Sequence, residues 1–244
     1  MRYLVLTDIH ANLEALDVCL VDAAHRGYDG TLLLGDVVGY GPDPNAVVER
    51  VQALVPTAVV RGNHDKIALS LHEADGFHSA ARAAAQWTLD ALTPAHRNWL
   101  AALPKGPLVV DDDLEICHGS PFDEDVYIFD ELDALRALKA SRRQLCLFGH
   151  THYRMVFELS DNELSLVSPD ESVVELKEGR KYLVNPGSVG QPRDNDPRAA
   201  YAIYDAGIRS IDLVRLEYPM SITQQKMLEA GLPEVLARRL SSGR

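Results

Sequence analysis

A short apolar run, Tyr3 to Leu6, opens the chain and predicts a strand. The period then changes. Leu13, Leu16, Leu20 and Ala24 share one face of a helix, with Asn12 as its N-cap and His25-Arg26-Gly27 as its C-terminal signal. Thr31 to Leu34 repeats the strand pattern. Asp43-Pro44 starts a second helix carrying Val47, Val48, Val51 and Leu54, which Pro56 ends, and Ala58 to Val60 gives a third strand. Strands separated by helices of this length predict βαβ units and a parallel sheet.

Residues 66–103 read as a compact helical insertion able to overhang a site, with one helix over Ala80 to Ala91 and another starting at Thr93-Pro94. Trp87 and Trp99 are expected as core anchors. Leu108 to Val110 and Leu114 to Cys117 flank Asp111-Asp112-Asp113, a hairpin tip whose spacing is wrong for a calcium loop. A helix from Asp130 to Ala140 leads to the strand Leu145 to Phe148. Short strands then continue to Tyr218, with turns at Asp161-Asn162, Pro169-Asp170 and Glu178-Gly179, and predict an antiparallel second sheet. After Pro219, residues 220–240 predict one C-terminal helix with Ile222, Met227, Leu228, Leu232, Val235, Leu236 and Leu240 as apolar positions, packed on its own chain or on a partner. No repeat or linker divides the chain, so residues 1–244 are expected to form a single domain with two sheets.

Polar clusters follow five of these strands: Asp8-Ile9-His10, Gly35-Asp36, Gly62-Asn63-His64-Asp65, His118-Gly119-Ser120 and Gly149-His150-Thr151-His152. Ligand sites of open α/β sheets lie beyond the carboxyl ends of strands, where these clusters can converge. Asp8 and His10, two apart in an extended segment, are expected to point the same way, as are His150 and His152. Together the clusters offer nitrogen and oxygen ligands to two metal ions, the arrangement that clamps the oxygens of an in-line displacement at phosphorus. Asp36, on the middle strand of the βαβαβ half, is the natural bridge. Asp8, His10 and one later histidine can close the first ion; Asn63, His118 and another later histidine can close the second. His64 is then free to donate a proton to the leaving oxygen or to contact a phosphoryl oxygen. Taken singly each cluster has a bland reading as a cap, a turn or a surface histidine; the ordered set does not.

Charge narrows the partner. The chain carries 24 basic and 36 acidic side chains, a formal −12, which disfavours holding nucleic acid by phosphate neutralisation and leaves local cations to draw an anionic substrate. A small phosphorylated molecule is therefore expected, with a nuclease as the less favoured alternative. Cys19, Cys117 and Cys146 sit in apolar stretches without metal or disulfide spacing, which points to the cytoplasm. Neither a leader segment nor a membrane-spanning run is visible, and oligomeric state is left open. The ligand types suit manganese, iron, zinc, cobalt or nickel.

The five blocks in this order resemble the calcineurin-like metallophosphoesterase superfamily. The resemblance implies a four-layer αββα sandwich of two mixed β-sheets flanked by helices. It also implies that Asp8, His10, Asp36 and His152 hold a first metal, that Asp36, Asn63, His118 and His150 hold a second, and that His64 is the catalytic histidine. Two divalent ions, manganese by preference, would then support phosphodiester or phosphomonoester hydrolysis by in-line attack of a metal-bridging hydroxide. Gly35 to Asn45 and Asn185 to Arg193 look like the small bacterial and archaeal phosphodiesterases of that superfamily. A protein-phosphatase-like Asp-Arg pair is replaced here by Gly39-Tyr40, which puts protein phosphatase activity in doubt. A non-catalytic scaffold with the same fold is the alternative from another class. Arg61 reads as a solvated strand-end arginine that could instead supply the missing positive charge. Arg193 reads as a surface salt-bridge former that could instead reach substrate. Asp65 is divided between orienting a histidine and capping a helix.

Overall fold

The computed structural model describes residues 1–70, 78–161, 163–167 and 172–244. The expected turns at Asn162 and Pro169-Asp170 lie outside them. Chain order is β1 (Arg2–Leu6), α1 (Leu13–Arg26), β2 (Gly30–Leu33), α2 (Pro44–Ala53), β3 (Ala58–Val59), α3 (Asn63–Ile67), α4 (Ser79–Ala91), α5 (Pro94–Ala101), β4 (Leu108–Val109) and β5 (Leu114–Ile116). Then come α6 (Glu131–Ala140), β6 (Leu145–Leu147), β7 (Arg154–Ser160), β8 (Glu163–Leu166), β9 (Val173–Glu175), β10 (Lys181–Pro186), β11 (Ala199–Asp205), β12 (Ser210–Leu216), α7 (Met220–Glu229) and α8 (Glu234–Ser242).

Two mixed six-stranded sheets result, ordered β3-β2-β1-β11-β12-β9 and β4-β5-β6-β10-β7-β8. The pleat explains the layers. Tyr3 and Val5 of β1 and Leu32 of β2 face inward, where they meet Leu114, Ile116, Leu145, Leu147, Tyr182 and Val184 of the other sheet. Leu4, Leu6 and Leu33 face outward, onto Leu16 and Cys19 of α1 and Val47 and Val51 of α2. On the far side, Ala134, Ala137 and Leu138 of α6 cover Cys146, Phe157 and Leu183. The four-layer αββα expectation holds.

The expected antiparallel second sheet is wrong in two respects. β9, β11 and β12 cross back to the first sheet, where β11 runs antiparallel beside β1, and β5, β6 and β10 are mutually parallel. Six of the seven β11 residues are buried, so that strand needs cover on both faces, which a place beside β1 supplies. Turn spacing shows where strands break and says nothing of which sheet each joins.

The C-terminal segment is also two helices. Gly231 at φ 74° and Pro233 interrupt it. Met227, Leu232, Leu236 and Leu240 pack against Tyr40 and against Ala81 and Ala84 of α4, so the segment docks on its own chain. Ile222, Leu228 and Val235, expected in that apolar face, are exposed. Among the described residues no helix is long and apolar enough to cross a membrane.

Candidate metal centre

The loops after β1, β2, β5 and β6 and the first turn of α3 bring the selected side chains to one place. Asp8, His10, Asp36, Asn63, His64, His118, His150 and His152 are all buried. Asp8, His10, Asp36 and His152 each bring a donor atom within 4.8 Å of the others, and Asp36, His118 and His150 do the same, sharing Asp36. His10 Nε2 faces His152 Nε2 at 3.0 Å, and His118 Nε2 faces His150 Nδ1 at 3.1 Å. The Asn63 side-chain oxygen lies 3.1 Å from His118 Nε2.

The outer nitrogens decide what these contacts mean. His10 Nδ1 is 3.2 Å from the Val38 carbonyl, His152 Nδ1 2.6 Å from that of Gln191, and His118 Nδ1 2.7 Å from that of Leu34. His150 uses its other atom, with Nε2 3.2 Å from the Asp125 carbonyl. A carbonyl only accepts, so each ring spends its N–H outward and a neutral ring turns a lone pair inward. Paired lone pairs 3 Å apart need a proton or a metal cation between them. Asp36 Oδ2 is likewise buried with no hydrogen-bond partner. The donor set and this orphaned oxygen fit divalent metal ions.

The profile of the calcineurin-like phosphoesterase superfamily domain matches residues 1–207. The chain belongs to that superfamily. It is 36% identical to an uncharacterized protein of Methanocaldococcus jannaschii, over 98% of this chain and 97% of the relative. It is similar to the crystal structure of a metallophosphoesterase from Sphaerobacter thermophilus, at TM-score 0.88 and 40% identity over 100% and 99% of the two chains. A hypothetical protein from Pyrococcus horikoshii shares the fold at TM-score 0.82 and 21% identity, over 100% and 98%.

In this member of the superfamily the site backbone is left-handed, although Asp8–His10 and His150–His152 are expected to be extended. Asp8 (φ 51°), His10 (49°), Asp36 (53°), His150 (68°) and His152 (60°) all have positive φ, a state costing a side-chain-bearing residue about 1–2 kcal/mol. Asp8 and His10 therefore converge through a turn rather than a pleat. His150 and His152 do not share a face, and each joins a different histidine.

Hydrogen bonds hold this backbone in place. Asp8 N–H donates to the Gly35 carbonyl and His10 N–H to that of Asp36. Asp65 takes the expected capping role at α3, closing its capping box, and does more besides. Its carboxylate accepts the N–H groups of Asp36, Val37 and Val38 as well as that of Gly62, the N-cap of α3, so it shapes the loop that presents Asp36. Close approach limits the neighbours: a Cβ on Gly62 would strike the Asp36 carboxylate, and one on Gly149 the Thr7 hydroxyl.

A strap from Asn185 to Gln191 completes the support, and its residues escaped sequence-based selection. Asn185 donates to the Gly149 carbonyl and to Thr151 Oγ1, while the Ser188 hydroxyl donates to the Asp8 carbonyl. Val189 and Gly190 N–H donate to the carbonyls of Thr7 and Asp8. The Asn-Pro-Gly-Ser run was their only signal, visible as a family likeness and not as chemistry. Cys117, adjacent to His118, turns away into the α6 side of the sheet, as its alternation predicts.

Burial opposes charge throughout the cluster, and local charges decide where it persists. Burial would raise Asp36, but His118, His64 and His10 hold it well below the usual carboxylate range. Burial alone would lower His118; Asp36 and Asp8 overcome that and push it up to about 10. Burial wins at His150, held down at about 3, and at His10 and His152, both well below their ordinary value. It also wins at His64, at about 4, although Asp36 pulls the other way. The His64 ring lies against His10 at 4.9 Å and Tyr40 at 4.3 Å, and its N–H backbone donates to Asp36 Oδ1.

Both arginines are held by contacts that the sequence did not show. Arg61 is 34% exposed but paired: its guanidinium makes a two-point contact with the buried Glu124, which Lys66 also contacts. Arg193 has no carboxylate partner among the described residues. It is half-buried, donates to Gln191 Oε1 and the Tyr40 hydroxyl, and sits over the Tyr40 ring. Its charge acts on Asp8, His10, His64 and His152.

Proposed function

We propose that this chain is a dinuclear-metal-dependent phosphoesterase hydrolysing a small phosphodiester or phosphomonoester. One observation carries the reading: two facing pairs of histidine nitrogens converge on the buried Asp36 carboxylate, with their other nitrogens committed to backbone carbonyls. Asp8, His10, Asp36 and His152 would hold one divalent ion, and Asp36, Asn63, His118 and His150 the other. Bound there, the ions supply charge neutralisation at phosphorus and an acidified water for in-line attack. The chain's own residues do the rest. Neutral His64 offers an N–H to a phosphoryl oxygen rather than a charge to the leaving group. Arg193 adds the positive charge that an anionic ester meets on entry. Manganese is our choice of ion among those the donors suit, and three buried free thiols fit a reducing cytoplasm.

The test uses metal-depleted protein reloaded with manganese and assayed on bis-p-nitrophenyl phosphate. Wild type is expected to bind two ions and turn over; Asp36→Asn is expected to lose both. Full turnover by Asp36→Asn contradicts the bridging role. His64→Ala is expected to keep both ions and lose ~10²–10³-fold in rate.

A further inference from the structure

The loop between β5 and α6 leans on the His118–His150 side of the cluster and is anchored twice. Glu124 receives Arg61 and Lys66, with Lys66 also on Asp125, and the Asp125 carbonyl accepts the His150 N–H. This anchoring presents a row of rings. Tyr127 lies face to face on the His150 imidazole, 3.8 Å between centroids at 17°. Phe129 continues the stack at 5.2 Å and 11°, and Tyr153 meets Phe129 edge-on at 5.9 Å. Yet Tyr127 is 42% and Phe129 50% exposed, and neither belongs to the hydrophobic clusters that make up the core.

Rings of this size gain most when covered, and the outer ring of this stack, Phe129, is left half bare beside a candidate metal centre with Tyr127 behind it, so it can take one more ring. Tyr127 thus runs from the His150 ring to solvent. We propose that Tyr127 and Phe129 form a stacking subsite for a planar aromatic group carried by the phosphoester, the base of a single nucleotide being the occupant they suit best. The formal charge of −12 argues against a polynucleotide, which needs a basic track. The proposal rests on reading the cluster as a phosphoesterase site.

Calorimetry of the manganese-loaded full chain with AMP, phenyl phosphate and ribose 5-phosphate tests it. AMP is expected to bind about tenfold more tightly than ribose 5-phosphate, from one stacked base. Phe129→Leu is expected to remove that advantage, and Phe129→Tyr, which keeps a ring, to retain it. AMP above phenyl phosphate assigns a nucleobase, whereas equal affinity for the two assigns a simple aryl group. The subsite is overturned if the three ligands bind alike, if none binds, or if Phe129→Leu keeps the preference. The same preparation is assayed on bis-p-nitrophenyl phosphate, so the two readings fail separately. Turnover without ring preference removes the subsite alone, and ring preference without turnover of any ester removes the phosphoesterase reading.

Discussion

The two halves of the histidine cluster share Asp36 and are otherwise built differently. The His10–His152 half is sealed in the interior, and Asp8 adds a second carboxylate to it. Around it lie the strap's hydrogen bonds to Asp8 and the short contact from His152 to the Gln191 carbonyl. The His118–His150 half has only Asp36 and the Asn63 amide oxygen beside its imidazoles, and its outer wall is a surface loop pinned by ion pairs. More negative charge and a more enclosed frame should make the first half the tighter metal site. The second, walled by the surface loop that carries Asp125 and Tyr127, should exchange its ion more readily.

The largest test of this contrast removes one ligand from each half. Asp8→Asn is expected to abolish the first ion, because the amide would point a donor at the His150 backbone N–H or the Thr7 hydroxyl, both now donating to Asp8. Turnover should fall by more than the roughly 10–100-fold typical of a lost supporting partner. Asn63→Ala removes a neutral ligand and should weaken only the second ion, with excess manganese restoring much of the rate. Metal content by elemental analysis across a manganese series reads both. Equal loss in the two variants would erase the distinction between the halves.

Asp65 serves both halves through Asp36, so its loss should not discriminate between them. Asp65→Asn keeps the shape but sets an NH₂ against backbone N–H donors from Asp36, Val37, Val38 and Gly62. The expected result is a roughly 10–100-fold fall in affinity for both ions with side-chain ligands intact. Loss confined to one ion would show that Asp65 supports a single half.

Asp65 also marks how far the sequence could be read. Ligand types and order were legible because metal chemistry restricts them to a few residues, and strand periodicity put each cluster after a strand. The βαβ half, the helix of residues 131–140 and the Asn12 cap, whose side chain accepts from Ala15 N–H, were legible for the same local reasons. The return of β11 and β12 to the first sheet was not, since pairing partners are set by burial across distant segments. Nor were the left-handed φ values at Asp8, His10, Asp36, His150 and His152, four of which the alternation of side chains predicts to be extended. Local propensity opposes that conformation, and tertiary hydrogen bonds impose it. The same blindness hid Asn185, Ser188 and the pairing of Arg61 with Glu124: their partners lie far along the chain.

Protonation gives a smaller and sharper separation. Ligation requires a neutral imidazole, and His118, held up at about 10, must release its proton to the medium when the second ion binds. Affinity of that half should rise about tenfold per pH unit from neutrality until near pH 10. The first half differs. His10 and His152 are already neutral, and burial, with the Asp36 charge, holds Asp8 up at about 7. Its affinity should rise with pH only until Asp8 has ionised and then level off. Manganese titrations at pH 7.5 to 9 in buffers of different ionisation enthalpy count the protons. About one proton for the second ion and nearly none for the first is expected above pH 8; the reverse assignment would contradict the charge pattern.

The smallest effect is expected at Glu124, which touches no ligand. Its carboxylate is nearly sealed from solvent and joins Arg61, at the end of β3, and Lys66, in α3, to the loop whose Asp125 carbonyl orients His150. Those partners keep Glu124 below its ordinary value against the opposing effect of burial. Glu124→Gln keeps the shape and removes the charge, leaving two cations facing an amide. Each kcal/mol lost would lower the melting temperature by about 2–4 °C for a chain of this size. At the site, His150 alone should be released, so the second ion weakens a few-fold and the first is unmoved. Manganese affinities of the two halves, read in the same titration, decide the matter: parallel weakening would mean that the loop braces the whole cluster and that its two sides are mechanically one.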